Sequence, residues 1–361
     1  MSACINHSRS GWRFVAMVLG GLLIALAPSR LMGAGANRVS SALCMACHGN
    51  PALSSKLQNG ETISLYVDRN GFAHSVHGKF ECVACHFDVS RVPHAAEQFV
   101  NRRAVTLRYY ELCKRCHFQE YSRLLDGVHY AEIAKGNPRA PTCVDCHGAH
   151  AIAPPAKPRV LISRTCARCH SGVGAAYASS VHGRALTEEN NPDVPVCTDC
   201  HDPHNNSNPL AASWHLNIPQ LCARCHASKE RMAKYGISTE VLTTYLNDFH
   251  GVTASLYRSE HKSPVEFTAT CTDCHGVHNI ARVDGASSPL IKANLLSTCR
   301  RCHPDASASF PSAWIGHYEP SPEHAPLVYA VKLFYLLFIP FVIGGLGLQI
   351  ILHLWRIVVR R

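Results

Sequence analysis

The sequence has no clustered run of lysine and arginine, although its 35 basic and 25 acidic residues give a formal net charge of +10. A basic tract is the usual electrostatic footprint of a nucleic-acid-binding protein, so its absence argues against that class of partner. The sequence also has no cysteine to spare for disulfides. Of its 19 cysteines, 18 fall into nine Cys-x-x-Cys-His motifs, and the remaining one, Cys4, lies near the N-terminus.

Cys-x-x-Cys-His is the attachment signature of a c-type haem. Its two thiols can bond to the two vinyl groups of one porphyrin, and the histidine that follows is placed to bind the iron. Paired cysteines also build zinc sites, but zinc does not require a histidine after each pair. Here a histidine follows all nine pairs, which favours haem. Each haem brings two propionates, so nine of them would outweigh the formal positive charge.

The motifs are numbered I to IX in chain order. The cysteines predicted to hold nine haem c groups are Cys44, Cys47, Cys82, Cys85, Cys113, Cys116, Cys143, Cys146, Cys166, Cys169, Cys197, Cys200, Cys222, Cys225, Cys271, Cys274, Cys299 and Cys302. The predicted proximal iron ligands are His48, His86, His117, His147, His170, His201, His226, His275 and His303.

Two kinds of motif alternate, so that two motifs make one repeating unit. A first-type motif is followed by a lone histidine, as Cys166–His170 is followed by His182. A second-type motif carries a further histidine three positions on, as Cys197–His201 does at His204. Motifs I and II form a looser copy, and motif IX is half a unit. The predicted distal ligands are His77, His94, His129, His150, His182, His204, His250, His278, and His317 or His324.

Methionine is too scarce to supply the second iron ligands. Beyond the N-terminal leader only Met45 and Met232 remain, and Met45 lies inside motif I. Ligation by two histidines, without methionine, predicts low reduction potentials. Because His204 lies only three residues beyond His201, we expect it to bind a neighbouring haem. Which distal histidine meets which iron stays open from the sequence.

The motif region is short for so many haems. Cys44 to His303 spans 260 residues, about 29 for each motif, which is too few to build separate hydrophobic cores. We therefore predict a mainly irregular and α-helical multihaem cytochrome fold, with short helices and loops wrapped round a chain of nine haems. Residues 61–68 alternate like a strand, and residues 95–112 have a helical pattern that runs into Cys113.

The N-terminal 36 residues are typical of a cleaved secretory signal peptide. Arg9 and Arg13 precede an apolar run over 14–27, and small residues follow at 34–36. Fourteen apolar residues are few for a membrane span. Export also fits haem attachment, which takes place outside the cytoplasm.

A second apolar segment lies near the C-terminus. Leu333 to Trp355 contains 23 residues without a formal charge, which as a helix measures about 35 Å and can cross a bilayer. Arg356, Arg360 and Arg361 follow it and predict a cytoplasmic C-terminus. The expected domains are the signal peptide at 1–36, a periplasmic haem domain at 37–325, and a transmembrane helix with a short tail at 326–361. The expected location is the inner membrane.

Several segments resemble the multihaem c-type cytochromes of bacterial respiratory chains. They are SVHG at 75–78 and 180–183, CVACHFDVSRVPH at 82–94 and the CTDCH-x-x-H stretches, and the resemblance covers roughly residues 40–325. It implies bis-histidine haems in close-packed chains that conduct electrons. The chain looks most like inner-membrane proteins in which such a module is paired with a b-type cytochrome that exchanges electrons with quinones. It departs from the fused versions because it has one transmembrane segment.

Two interpretations of that segment stay open. It is either a simple tether or a subunit contact, for which the small residues Gly344, Gly345 and Gly347 would permit close helix approach. His353 lies within it, and a histidine inside a membrane is a functional candidate. With Arg356 one turn on, His353 is a candidate ligand of a haem b shared with a partner.

The sequence favours an electron carrier, or an electron-transfer subunit of an oxidoreductase complex, over an enzyme. It would pass electrons between a quinone-linked membrane partner, such as a b-type cytochrome, and periplasmic redox proteins. The haem of His303, with His317 or His324, is nearest to the membrane in sequence, so electrons are expected to enter or leave there. The alternative is a multihaem reductase of a small nitrogen or sulfur oxyanion, which needs one iron with an open position. A polymerising cytochrome is disfavoured by the membrane segment.

Overall fold

Short α-helices joined by loops account for most of the folded chain. The computed structural model describes residues 39–154, 158–259, 268–283, 292–313 and 316–360, so the predicted signal peptide lies outside the described residues. Within these ranges the helices are α1 Ser41–His48, α2 Arg69–Ala73, α3 Cys82–Cys85, α4 Arg102–Tyr110, α5 Phe118–Leu125, α6 Val128–Ala134, α7 Cys143–His147, α8 Val160–Ala167, α9 Ser171–Ser179, α10 Val181–Thr187, α11 Cys197–Cys200, α12 Ala212–His226, α13 Lys229–Met232, α14 Val241–Leu246, α15 Phe249–Ser259, α16 Cys271–His275, α17 Lys292–Arg300 and α18 Pro326–Val359. Short 3-10 turns cover Glu111–Arg115, Ala233–Tyr235 and Phe310–Ala313.

The strand content is small. In the described ranges, β1 Ser54–Lys56 pairs antiparallel with β2 Thr62–Ser64, and Ser55 lies opposite Ile63. The alternating pattern at 61–68 therefore forms a strand over only three of its residues. Ile63 is the buried side chain of that strand, while its two neighbours face solvent. The fold is helix-rich, as expected of a multihaem cytochrome.

The helix predicted over 95–112 is shorter than expected. It begins at Arg102, because the side chain of Asn101 accepts a hydrogen bond from the backbone N–H of Ala104 and so caps the helix. Residues 95–101 are not helical, and from Glu111 the chain tightens into the 3-10 turn that carries Cys113. A polar capping residue inside the predicted stretch thus sets the start of the helix.

The chain buries few apolar side chains of its own. Its accessible surface is 27143 Å², about twice the roughly 14,000 Å² expected of a compact chain of this mass. The exposed helix α18 accounts for part of the excess. Large apolar side chains also stay accessible within the motif region, such as Phe118 at 68% and Phe249 at 90%. The polypeptide by itself therefore does not supply a conventional core.

A small apolar cluster lies in the unit that begins at motif VII. This unit is longer than the other units. Leu216 of α12, Tyr245 of α14 and Ala254 of α15 are buried against one another. The hydroxyl of Tyr245 donates to the carbonyl of Ala269, 3.0 Å away and just before motif VIII. The extra residues of this unit therefore fix motifs VII and VIII to each other through ordinary packing.

The C-terminal helix α18 is long and apolar enough to span a membrane. It contains 34 residues, and its most apolar 18-residue stretch has a mean hydropathy of 2.2 and is not buried against the rest of the described chain. It begins with Pro326 in the first turn, where the missing N–H of proline does no harm. It extends beyond the apolar segment predicted at 333–355, and Lys332 in its first turns pairs with Glu319 at 3.3 Å.

Candidate haem-binding sites

A single helical turn shapes each attachment motif. In motifs II, III, V, VI and IX the backbone N–H of the histidine donates to the carbonyl of the first cysteine at 2.9–3.0 Å. This bond brings the two cysteines and the histidine onto one turn. Both thiols of every motif are half-buried or exposed, so all eighteen are accessible to a porphyrin.

The later second-type motifs carry their own helix cap. The carboxylate of Asp145 accepts hydrogen bonds from the backbone N–H and the hydroxyl of Thr142, both at 2.7 Å. Asp273 accepts from the backbone N–H of Thr270 at 2.7 Å in the same way. In motif VI the residue before the first cysteine is valine, and only its backbone N–H reaches Asp199, at 2.6 Å. These protein contacts by themselves fix the first turn of each of these motifs.

Every motif histidine lies opposite one other histidine. The centroid separations of the nine ring pairs fall between 5.9 and 6.3 Å. The pairs are His48–His94, His77–His117, His86–His150, His129–His170, His147–His204, His182–His226, His201–His278, His250–His303 and His275–His317. The structure thus brings together all nine predicted proximal ligands and nine of the ten predicted distal candidates.

The pairing follows a rule within the repeat. A second-type motif histidine faces the trailing histidine of the next second-type motif, as His147 faces His204. A first-type motif histidine faces the lone histidine of the preceding unit, as His170 faces His129. Each unit from motifs III and IV to motifs VII and VIII therefore contributes one histidine to the unit before it and one to the unit after it. This order could not be obtained from the spacing of histidines alone.

The histidines left over make other contacts. His324 stacks on Tyr318 with ring centroids 5.0 Å apart, so the structure selects His317 rather than His324 for a ring pair. His317 lies opposite His275 and not opposite His303, the motif that it follows in sequence. His74 hydrogen-bonds the carbonyl of Asn70 at 2.8 Å. His353 and Arg356 lie exposed on α18, away from the ring pairs.

Three backbone hydrogen bonds tie the paired segments of neighbouring units together. In each, the residue before a lone histidine donates its N–H to the carbonyl two residues beyond a trailing histidine. The bonds are Val76 to Ile152 at 2.9 Å, Val128 to Asn206 at 2.9 Å, and Val181 to Ile280 at 2.8 Å. The two histidines so connected belong to different ring pairs, for instance His129 and His204. Adjacent ring pairs are therefore held at a fixed separation.

The motifs themselves also touch in chain order. The first cysteines of the two motifs in a unit lie beside each other, Cys113 next to Cys143 and Cys166 next to Cys197. Between units, an arginine at the third position of a first-type motif donates to the carbonyl of the aspartate in the motif before it. These pairs are Arg168 with Asp145, Arg224 with Asp199 and Arg301 with Asp273. The sequence analysis did not predict these contacts, although the recurrence of CxRCH after CxDCH is a signal from which they could have been found.

Burial keeps two of the paired rings neutral. Desolvation, followed by the nearby His226, lowers the pKa of His182 to about 4. Desolvation, followed by His317 and His226, likewise lowers the pKa of His275 to about 4. Both rings are uncharged at neutral pH, which is the state in which imidazole binds a metal.

The ring spacing fits a metal held between two imidazoles. A metal–nitrogen bond to histidine is about 2 Å long and the ring centre lies roughly 1 Å further out, so two opposed rings have centroids about 6 Å apart. Within the described ranges, no three or more His, Cys, Asp or Glu side chains converge as they would round a bare metal ion. The donor set consists instead of opposed histidine pairs, each beside two thiols.

A family model for the doubled Cys-x-x-Cys-His motif matches residues 190–231, which contain motifs VI and VII. No curated protein and no solved structure matches the chain. The doubled motif is characteristic of multihaem c-type cytochromes, and its Cys-x-x-Cys-His elements indicate covalently bound haem c.

Proposed function

We propose that this protein is a membrane-anchored nonahaem cytochrome c that conducts electrons. The observation that supports this most directly is the opposition of each motif histidine to one other histidine at 5.9–6.3 Å. The covalent haem supplies one-electron iron chemistry when bound. The paired histidines would be its two axial ligands, and the two cysteines of the motif would hold it by thioether bonds.

Complete ligation favours electron transfer over catalysis. A reductase of a nitrogen or sulfur oxyanion needs an iron with an open position for its substrate. Each of the nine motif histidines has a partner ring, so no motif offers such a position. No feature of the described chain favours the reductase, so it ranks below the electron carrier. Two histidine ligands also imply low potentials.

The contacts between motifs support a linear conductor. Successive motifs touch through their cysteines within a unit and through the arginine–carbonyl bonds between units, such as Arg224 to the carbonyl of Asp199. Nine haems attached in this order would form a continuous row. His250 and His303 would serve the haem of motif IX, and His275 and His317 that of motif VIII.

The helix α18 supports an anchor next to the last two motifs. It begins nine residues beyond His317, the histidine that faces His275, so one proposed ligand of the haem of motif VIII lies closer to α18 in sequence than either histidine of the motif IX pair, His250 and His303. Arginines at its C-terminal end favour a cytoplasmic tail and a haem domain in the periplasm. The proposed partners are a quinone-linked subunit of the inner membrane, such as a b-type cytochrome, and periplasmic redox proteins. His353 and Arg356 are the proposed contacts to a shared haem b.

Purification of the full chain from membranes in mild detergent tests this function. We expect nine haems per chain by the pyridine haemochrome assay, a wholly low-spin ferric spectrum, and no carbon monoxide binding by the reduced protein. A high-spin component with carbon monoxide binding in the unaltered protein would favour the reductase instead. For the partner, His353→Ala should lower the haem b that copurifies, whereas Gln349→Ala, one turn earlier on α18, should not. Equal haem b in both variants would remove the proposed role of His353.

A further inference from the structure

A carboxylate lies beside one of the paired histidines. The Oε2 atom of Glu120 is 2.8 Å from Nδ1 of His204, and both side chains are partly buried, at 38% and 31% exposure. His204 is the histidine that faces His147. With Nδ1 occupied by the carboxylate, Nε2 is the nitrogen left to meet the metal, because the hydrogen bond at one ring nitrogen selects the other as the ligand.

The carboxylate is held in place by a small charged network. Nη1 of Arg123, one turn further along α5, lies 3.0 Å from Oε2 of Glu120. The other end of the guanidinium binds the carboxylate of Asp202. Asp202 in turn accepts the backbone N–H groups of His204 at 3.0 Å and Asn205 at 2.9 Å. The loop that carries His204 is therefore fixed from both sides.

Among the described residues, this network occurs at one repeat. Glu120 is the third residue after its motif histidine, and the corresponding residues after His170 and His226 are Val173 and Lys229, which have no carboxylate. The residue equivalent to Asp202 is glycine after motifs IV and VIII, at Gly148 and Gly276, where φ is positive.

Other paired histidines have neutral partners at Nδ1. His48 bonds to the carbonyl of Leu65 at 2.8 Å, and His94 to that of Ala95 at 3.0 Å. His317 lies 3.4 Å from the hydroxyl of Thr244. Of His48, His94 and His204, only His204 has a carboxylate at Nδ1 among the described contacts, while His317 also lies near the carboxylate of Asp248. A carboxylate that accepts the ring N–H makes the ligand more basic than a carbonyl or hydroxyl partner does.

We propose that Glu120 lowers the reduction potential of the haem of motif IV below the value that the same histidine pair would give without it. The inference rests on the proposed nonahaem function. A more basic imidazole stabilises ferric over ferrous iron, so the one-electron reduction becomes less favourable. The electron arrives from a neighbouring haem, no bond is made or broken, and the Nδ1 proton stays on His204. Arg123 offsets part of the effect because it shares the carboxylate.

Glu120 acts through His204 and is a positioning residue, so the potential is the property to measure. In the full-length holoprotein, Glu120→Gln keeps a hydrogen-bonding side chain but removes the charge. We expect one of the nine components of a spectroscopic redox titration to shift upwards. An expected tenfold change in the ferric-to-ferrous preference corresponds to about 59 mV for a one-electron couple. Arg123→Gln should shift the same component downwards, an opposite sign that simple loosening of the loop would not give.

Glu132→Gln is the matched control. Glu132 is also a half-exposed glutamate of this unit, but it pairs with Lys135 at 2.8 Å and contacts no paired histidine. This variant should leave all nine components in place. The inference is overturned if the Glu120→Gln titration coincides with that of the unaltered protein. The haem count and low-spin spectrum of the same samples report on the proposed function separately, so either failure can be recognised without the other.

Discussion

The interior of the repeat and its two ends obey different pairing rules. In the interior, each motif histidine faces a histidine from two motifs away, as His147 faces His204. At the N-terminal end, His48 instead faces His94, which trails the very next motif. At the C-terminal end, His275 faces His317, which follows a first-type motif rather than a second-type one.

The difference shows how a two-motif repeat is closed off. If the interior rule continued, a trailing histidine of a tenth motif would face His275. The histidine of a motif before motif I would likewise face His94. Neither motif exists in the sequence. His48 faces His94 instead, and His317 faces His275. Each of these histidines therefore still has a partner ring at either end. The ends are therefore where ligand assignment depends on the fold rather than on the repeat.

The largest effect that separates the two rules is expected at the C-terminal end. In the proposed nonahaem cytochrome, His317→Ala should remove the ring opposite His275 and leave one of the nine irons with a single axial ligand. We expect a high-spin component and carbon monoxide binding by one haem per chain, measured by electron paramagnetic resonance and reduced-minus-oxidised spectra. His324→Ala is the matched control, since His324 stacks on Tyr318 and faces no motif histidine. A high-spin haem in the His324 variant, with none in the His317 variant, would contradict the assignment at this end.

The sequence was sufficient for the identity of eight of the histidines that face motif histidines, but not for the choice between His317 and His324 or for the order of pairing. His182 and His204 could be nominated because each recurs at a fixed place in the unit. Their partners, His226 and His147, lie 44 and 57 residues away in the chain. Backbone hydrogen bonds between units, such as Val181 to Ile280, help to bring such distant segments together. The donor and acceptor positions recur with the histidines, but their spacing does not show which acceptor each donor meets.

Local capping decided where the fold departed from expectation. The predicted helix over 95–112 started late because Asn101 capped it at Arg102.

Glu120 was not singled out from the sequence, since a glutamate in an amphipathic helix is usually solvated. Its significance depends on His204, 84 residues further on. Contacts of a single side chain with a distant loop are the part of a site that spacing cannot reveal.

A smaller effect, a loss of thermal stability, should be the same for a lone-histidine segment in the interior and for one near the C-terminal end. A Cβ at Gly183, directly after His182, would lie 1.9 Å from the carbonyl oxygen of Tyr177, and one at Gly251 would lie 1.9 Å from that of Tyr245. Because backbone atoms cannot give way easily, Gly183→Ala and Gly251→Ala should each destabilise the holoprotein by about 1–3 kcal/mol. Thermal unfolding followed by circular dichroism measures this.

Gly172→Ala provides the control for those substitutions. Gly172 lies in α9, and a Cβ there meets no atom within 4 Å. Alanine in a helix is favoured over glycine by about 0.5–1 kcal/mol, so this variant should be neutral or slightly more stable. If Gly183→Ala were as stable as Gly172→Ala, the close approach after the lone histidine would not constrain the interior units. If only Gly251→Ala were destabilised, the lone-histidine segment would differ between interior and end.

The smallest effect concerns the longer unit near the C-terminal end, which is tied to the interior by an exposed side-chain contact. Asp193 accepts hydrogen bonds from Lys234 at 2.8 Å and Tyr235 at 2.9 Å. These two partners lower the pKa of Asp193 below its ordinary value of 3.8. The folded state therefore favours the carboxylate, so the contribution is present above the unfolded pKa and is lost as the pH falls through the lower folded value. Asp193→Asn should lower the thermal midpoint slightly at pH 7, and the difference from the unaltered protein should shrink below about pH 4. Lys234→Gln should reproduce the effect and add little to it in the double variant, whereas a difference that persisted unchanged at pH 3 would mean that the Asp193 carboxylate does not carry this contact.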